Sequence, residues 1–174
     1  WEISEDGTTL IQPLTSIKGL GSSAMDQILD HRPFNTVEEF LFHEEVVYSK
    51  LNKKALDVLC RSGALKTLQD DRFSGAKHFW SCVAVERPRK EKDLLTNIEL
   101  FADEGDFTTE DRIQYLTDLT GMFPINLVVK DETLKQLADN HIPAISEYDP
   151  ELGFVWFIPR KVIIKRTKND KPYY

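Results

Sequence analysis

Leu14-Thr15-Ser16-Ile17-Lys18-Gly19-Leu20-Gly21-Ser22-Ser23-Ala24 is the stretch on which the reading of this 174-residue chain turns. Two glycines separated by one residue permit a tight, partly left-handed turn and let backbone amides come close to a phosphate. Ala24 and Ile28 follow at helical spacing, and Ala24 is small enough for close helix packing. Ser22 or Ser23 is expected to cap the helix after the turn. Its free N–H groups and positive dipole end favour an anion without reading any base.

From Leu14 to Leu29 the string is the signature of a helix-hairpin-helix, which implies sequence-independent contact with a nucleic-acid backbone. A Gly-x-Gly pair alone is also what an ordinary packing turn needs. Upstream, residues 2–12 read as a short strand or lead-in with a turn at Asp6-Gly7. Downstream, the helix from Ser22 should stop near His31, because Arg32 precedes Pro33. Thr36 with Glu39 predicts a capped helix bearing Val37, Phe40 and Leu41. Leu51, Ala55 and Leu59 predict another, stopped by Gly63. A further helix is expected from about Asp71 through Val85, with Phe73, Lys77 and Trp80 on one side and Pro88 ending it.

Residues 87–106, with Arg-Pro-Arg-Lys-Glu-Lys at one end and Asp103-Glu104-Gly105-Asp106 at the other, read as a linker or exposed loop. Thr108 or Thr109 should cap a helix running to Thr120, with Gly121 ending it. Ile125–Val129 is strand-like, Glu132–Asn140 helical, and Phe154–Ile158 and Lys161–Arg166 strand-like again, with a turn at Lys168-Asn169-Asp170 before Tyr173-Tyr174. The expected fold class is α+β: a helical helix-hairpin-helix module at 1–86, a linker at 87–107, and a mixed α/β region at 108–174 ending in β-strands.

The net charge of −7 runs against a nucleic-acid binder, but it is segregated along the chain. Residues 50–92 carry 11 basic and 5 acidic groups, whereas 93–151 carry 3 and 14. A Debye length of about 8 Å lets a basic patch act despite distant acids, with affinity that falls steeply as salt rises. Lys53 and Lys54 at the start of a helix oppose its macrodipole by a few tenths of a kcal/mol. They are read either as a solvated face or as contacts to an external anion. Arg87, Arg89, Lys90 and Lys92 are read as a soluble linker or as phosphate contacts.

No apolar run approaches the roughly 20 residues of a membrane helix, and no basic-then-apolar leader is visible, so no membrane partner is expected. Cys60 and Cys82 lack CxxC spacing, and His31, His43, His78 and His141 are scattered. No zinc site or other cofactor is therefore expected. The thiols are expected to be reduced, in a cytoplasm, with Cys60 a buried or half-buried apolar residue. The acidic clusters fall in turns and helix starts, where capping and the dipole favour acids. No pair of carboxylates suited to holding two metal ions stands out, so no catalytic residue is assigned. A start at Trp1 and an end at Tyr174 within a strand-like stretch are what a piece of a larger protein would show.

The strings LTSIKGLGSSAMDQILDHRPFNTVEEFL, KLNKKALDVLCRSGALKTL and DDRF, over roughly residues 10–75, resemble the bacterial replicative DNA polymerase III alpha subunit of the C-family polymerases. The resemblance implies that Lys18, Gly19, Gly21, Ser22 and Ser23 face phosphate of the duplex leaving the active site. Leu20 within the hairpin and Lys53 and Lys54 beyond it are grouped with them as the expected DNA-binding residues. More loosely, TTEDRIQYLTDLTGMFP resembles the family segment after this module. FVWFIPRKVIIKRTKNDKPYY resembles the first strands of its OB-fold. Asn97-Ile98-Glu99-Leu100-Phe101 resembles the short clamp-binding motif of bacterial polymerases, with Asn97 in place of the usual Gln. Leu100 and Phe101 would fill an apolar pocket on a sliding clamp; alternatively, Ile98, Leu100 and Phe101 anchor a linker on the core. By this resemblance the partners are double-stranded DNA, a sliding clamp and the remaining polymerase domains, while the catalytic parts lie outside the chain. The rival reading is a non-catalytic protein–protein scaffold in which the hairpin is a strut.

Overall fold

The computed structural model describes all residues except Glu5, Thr9, Leu152, Arg160, Lys161, Val162, Asp170 and Tyr174. The chain divides into two units, Trp1–Pro124 and Ile125–Tyr174, rather than at the boundaries near 86 and 107 expected from composition. The fold is α+β and mostly helical.

The first unit opens with β1 (Glu2–Ile3) and β2 (Leu10–Ile11), an antiparallel pair with Glu2 opposite Ile11. Gly7, at φ +71°, makes the turn between them. What precedes the Gly-x-Gly turn is a single 3₁₀ turn, Leu14–Ser16, and not a full helix. Then come α1 (Ser22–His31) and α2 (Val37–Phe42). The Thr36 hydroxyl accepts the Glu39 N–H at 3.2 Å, while the Glu39 carboxylate reaches back to the Asn35 N–H at 2.7 Å.

The centre of the unit is α3 (Lys53–Arg61), on which Ala55, Leu56, Val58 and Leu59 are all buried. Asn52 caps it by accepting the Ala55 N–H at 3.0 Å. Its end is a paired turn: Gly63 N–H donates to Cys60 O and Ala64 N–H to Leu59 O, with Gly63 left-handed at φ +78°. Around α3 pack α4 (Ala76–Trp80), its π-helical continuation Ser81–Val85, and α6 (Thr109–Thr120). A polar seam joins them: Trp80 Nε1 donates to Asp57 Oδ1 at 2.8 Å, Asp57 pairs with Arg61, and Arg61 lies over the Tyr115 ring.

The expected helix from Asp71 starts five residues later, at Ala76. Arg72 donates to both Asp70 and Glu38 and so holds the preceding turn. The Asp106 carboxylate accepts the Lys77 N–H at 3.0 Å near the start of α4. Of the side carrying Phe73, Lys77 and Trp80, Phe73 is buried and Trp80 packs on the core, and His78 and Phe79 of α4 are buried as well.

The stretch read as a linker is instead structured. It contains α5 (Glu91–Leu100), whose Leu94 is fully buried. Asn97 Nδ2 donates to Cys82 O at 2.9 Å and also to Glu86 O, satisfying carbonyls freed where the π-helical turn ends. The charged ends of the stretch hid this core contact. α6 matches its expected bounds, with Thr108 and Asp111 in a reciprocal capping box and Gly121 left-handed at φ +74°.

In the second unit, Ile125–Leu127 forms a 3₁₀ turn where a strand was expected. α7 (Asp131–Asp139) lies within one residue of expectation. Phe154–Ile158 yields a single bridge, Trp156 to Ala144, and not a strand. β3 (Lys165–Arg166) pairs antiparallel with β4 (Pro172–Tyr173). The expectation for Lys161 and Val162 lies outside the described residues. Apolar β-branched runs become strands only where a neighbouring strand takes their hydrogen bonds. Among the described residues there is no barrel here.

Candidate nucleic-acid interface

The hairpin turn is built by two glycines with different jobs. Gly19 is left-handed at φ +87°, and a Cβ there would touch Val58 Cγ2 at 3.4 Å, so it lets the turn lie against α3. Gly21 is the N-cap of α1 with ordinary extended backbone, φ −74° and ψ 149°, and a Cβ there would meet nothing within 4 Å. Neither Ser22 nor Ser23 caps α1, because both already lie inside the helix, and its N-cap makes no side-chain hydrogen bond. Among the described residues, the N–H groups of Gly19, Gly21, Ser22 and Ser23 take no internal partner, and all four residues are exposed. They are the donors an anion would meet.

Three of these residues, Gly19, Gly21 and Ser23, line a surface cleft of about 380 Å³ that is lined also by Lys50, Asn52 and Lys54. The fold thus brings the hairpin beside the start of α3, and Lys50 and Lys54 share the cleft with it. Lys50, Ser49 and Asn52 escaped sequence reasoning. Their one signal was that Lys50 opens the basic block, and only packing places it opposite Gly21.

Residues 1–75 match a family model described as a helix-hairpin-helix motif. No curated protein and no solved structure matches the chain. The motif is compatible with binding double-stranded DNA.

The remaining expected contacts divide. Lys18 is exposed, and its backbone N–H donates to Leu119 O at 2.8 Å and so ties the turn to the end of α6. Leu20 is half-buried against the core. Lys53 Nζ donates to Val85 O at 2.7 Å and lies 3.9 Å from Glu86, so it serves the end of the π-helical turn. Lys54 lines the cleft. Arg87 is buried, donates to Tyr48 O at 2.6 Å and stacks 3.5 Å from that ring; burial pulls its pKa below the usual arginine value. It holds the 43–50 loop rather than a phosphate. Arg89, Lys90 and Lys92 are exposed.

Of the five residues resembling a clamp motif, three serve the fold. Asn97 is buried and hydrogen-bonded as described, while Ile98 and Phe101 pack on the core. Glu99 and Leu100 face outward, Leu100 at 68 % exposure. Acidic residues serve turns and caps: Asp70 on Arg72, Asp106 on Lys77 N–H, Asp111 in the capping box. One further grouping was invisible in the sequence. The scattered histidines gave no reason to expect a metal, yet His31 and His43 meet at Glu45. No helix among the described residues is long and apolar enough to cross a membrane.

Proposed function

We propose that residues 1–75 bind duplex DNA through its phosphates without reading sequence, as a non-catalytic part of a replicative polymerase alpha subunit. The observation that carries this is the cleft lined by Gly19, Gly21 and Ser23, whose N–H groups take no partner among the described residues, together with Lys50 and Lys54. Backbone N–H groups and two flexible cations suit a phosphate and offer nothing that distinguishes one base from another. Nucleotidyl transfer is assigned to parts of the polymerase outside this chain.

The test is fluorescence anisotropy of the 174-residue chain with a labelled random-sequence duplex across a salt series. For every phosphate that a cation no longer neutralises, the slope of log K against log salt should fall by about 0.9. Lys50→Ala with Lys54→Ala should therefore flatten it by nearly 2. An unchanged slope in the double variant removes this cleft as the interface.

A scaffold role draws support from the Lys18 N–H to Leu119 O bond and from the packing of Leu20, which show the turn bearing structure as well. Absence of binding at low salt would favour that reading. Sliding-clamp tethering is proposed only for a state in which the last turn of α5 opens, since Phe101 otherwise stays on the core.

A further inference from the structure

His31 ends α1, His43 is the C-cap of α2, and Glu45 stands in the turn that follows. One ligand atom from each lies within 4.8 Å of the other two. His31 Nδ1 and Glu45 Oε2 are 3.2 Å apart, and the two imidazoles stack at 5.8 Å with 27° between their planes. The arrangement is held from below. Gln27, buried one turn before His31, donates to Glu45 O at 3.3 Å and accepts the Val47 N–H at 3.0 Å. That pair of bonds pins the 45–47 turn to α1, so the meeting of His31 and Glu45 follows from the packing and not from two long side chains finding each other in solvent.

We propose that His31, His43 and Glu45 bind a zinc-class divalent cation. Two imidazoles and one carboxylate are the donor set that borderline transition metals prefer over magnesium or calcium, whose ligands are oxygens. In a tetrahedral site with bonds of about 2.0–2.1 Å, neighbouring donors lie about 3.3 Å apart. The His31–Glu45 edge already has that length. The other edges, no longer than 4.8 Å, would close by rotation of the exposed His43 toward the His31–Glu45 pair. His43 Nδ1 accepts the Glu45 N–H at 3.3 Å, and metal binding through either ring nitrogen exchanges that one hydrogen bond for a metal–nitrogen bond.

The electrostatics agree. The last turn of α1 presents the negative end of a ten-residue helix to the site, which favours a cation. The two thiols and His78 do not compete. Burial pushes the Cys82 thiol up to about 12 and raises Cys60 as well, so both stay protonated at neutral pH. His78 uses both ring nitrogens inside the fold, one with Ser74 and one with Ile98 O. With His43 and Glu45 exposed, a fourth ligand would come from solvent. A bound ion would tie α1, α2 and the turn before Ser49–Asn52 into one piece, and so brace one wall of the cleft.

The test is calorimetric titration of the 174-residue chain with zinc chloride, with thermal melts in parallel. One equivalent should bind and raise the melting temperature. His43→Ala and Glu45→Gln, both at exposed positions, should each weaken binding by more than about tenfold and abolish the thermal shift. Excess magnesium should not displace the zinc. The proposal is overturned if parent and His43→Ala bind zinc equally, if stoichiometric binding survives both substitutions, or if magnesium competes.

Discussion

Replacing Gly19 and Gly21 by alanine, one at a time, separates the structural from the binding role of the hairpin. At Gly19, φ is +87°, where an L side chain is strained by about 1–2 kcal/mol. Alanine also stiffens the unfolded chain, which returns about 0.4–1 kcal/mol. The new Cβ would lie 3.4 Å from Val58 Cγ2, an ordinary contact. The net loss should be about 1 kcal/mol. At Gly21 the backbone is extended and the space around a Cβ is empty, so the same unfolded-state gain is offset by the poorer N-cap that alanine makes, and stability should change by less than about 0.5 kcal/mol. That empty space is where a phosphate would have to approach the Gly21 and Ser22 amides. A methyl group there should remove a charge-assisted hydrogen bond worth about 1.5 kcal/mol or more, which is about tenfold in affinity. Urea denaturation reads the first effect and duplex anisotropy at fixed salt reads the second. A Gly21→Ala chain that binds duplex within twofold of the parent refutes phosphate approach at this turn. A Gly19→Ala chain as stable as the parent refutes the assignment of strain.

Leu94→Ala should cost about 3 kcal/mol in urea denaturation, because a fully buried leucine leaves a cavity, whereas Leu95→Ala, half exposed, should be close to neutral; a free linker would show no difference between them. Arg72 holds the Glu38 and Asp70 carboxyls below their usual values through direct hydrogen bonds. Since their folded pKa values are lowered, the stability they add is present above the ordinary carboxylate range and is lost as pH falls through the lowered values. The deficit of Arg72→Ala seen by urea at pH 7 should therefore shrink below about pH 4, and a deficit independent of pH would assign it to packing. Leu100→Ala together with Phe101→Ala should abolish binding to a sliding clamp in calorimetry while duplex binding persists, and equal clamp affinity would end the tethering reading. Asn97→Gln, nearer the usual clamp motif, should destabilise the fold in urea denaturation, because the longer amide no longer fits between Cys82 O and Glu86 O.

Much of the helical framework was legible because its signals are local. Arg32-Pro33, Thr36 with Glu39, Gly63, Thr108 or Thr109, and Gly121 each act within one helical turn, and α1, α3 and α6 end where those residues say. Strands failed for the opposite reason. Ile125–Val129 and Phe154–Ile158 have the composition of strands, but a strand exists only with a partner, and among the described residues neither run is paired beyond one bridge. The 87–107 stretch failed because charge at its ends outweighed one leucine and one asparagine that the core required.

The amino-acid sequence by itself determined the hairpin turn, the ends of α1, α3 and α6 and the placing of basic residues in a block beginning at Lys50, since each depends on neighbours a few positions away. Only the tertiary structure decided which of those residues act together. It took Lys53 to Val85 O and Arg87 beneath Tyr48, and it set Lys50 and Lys54 across from Gly21. It also joined His31 to His43 and Glu45. Those pairings depend on how α1, α2 and α3 pack around a shared core, and packing is a property of the whole set of buried side chains that no short window of sequence contains.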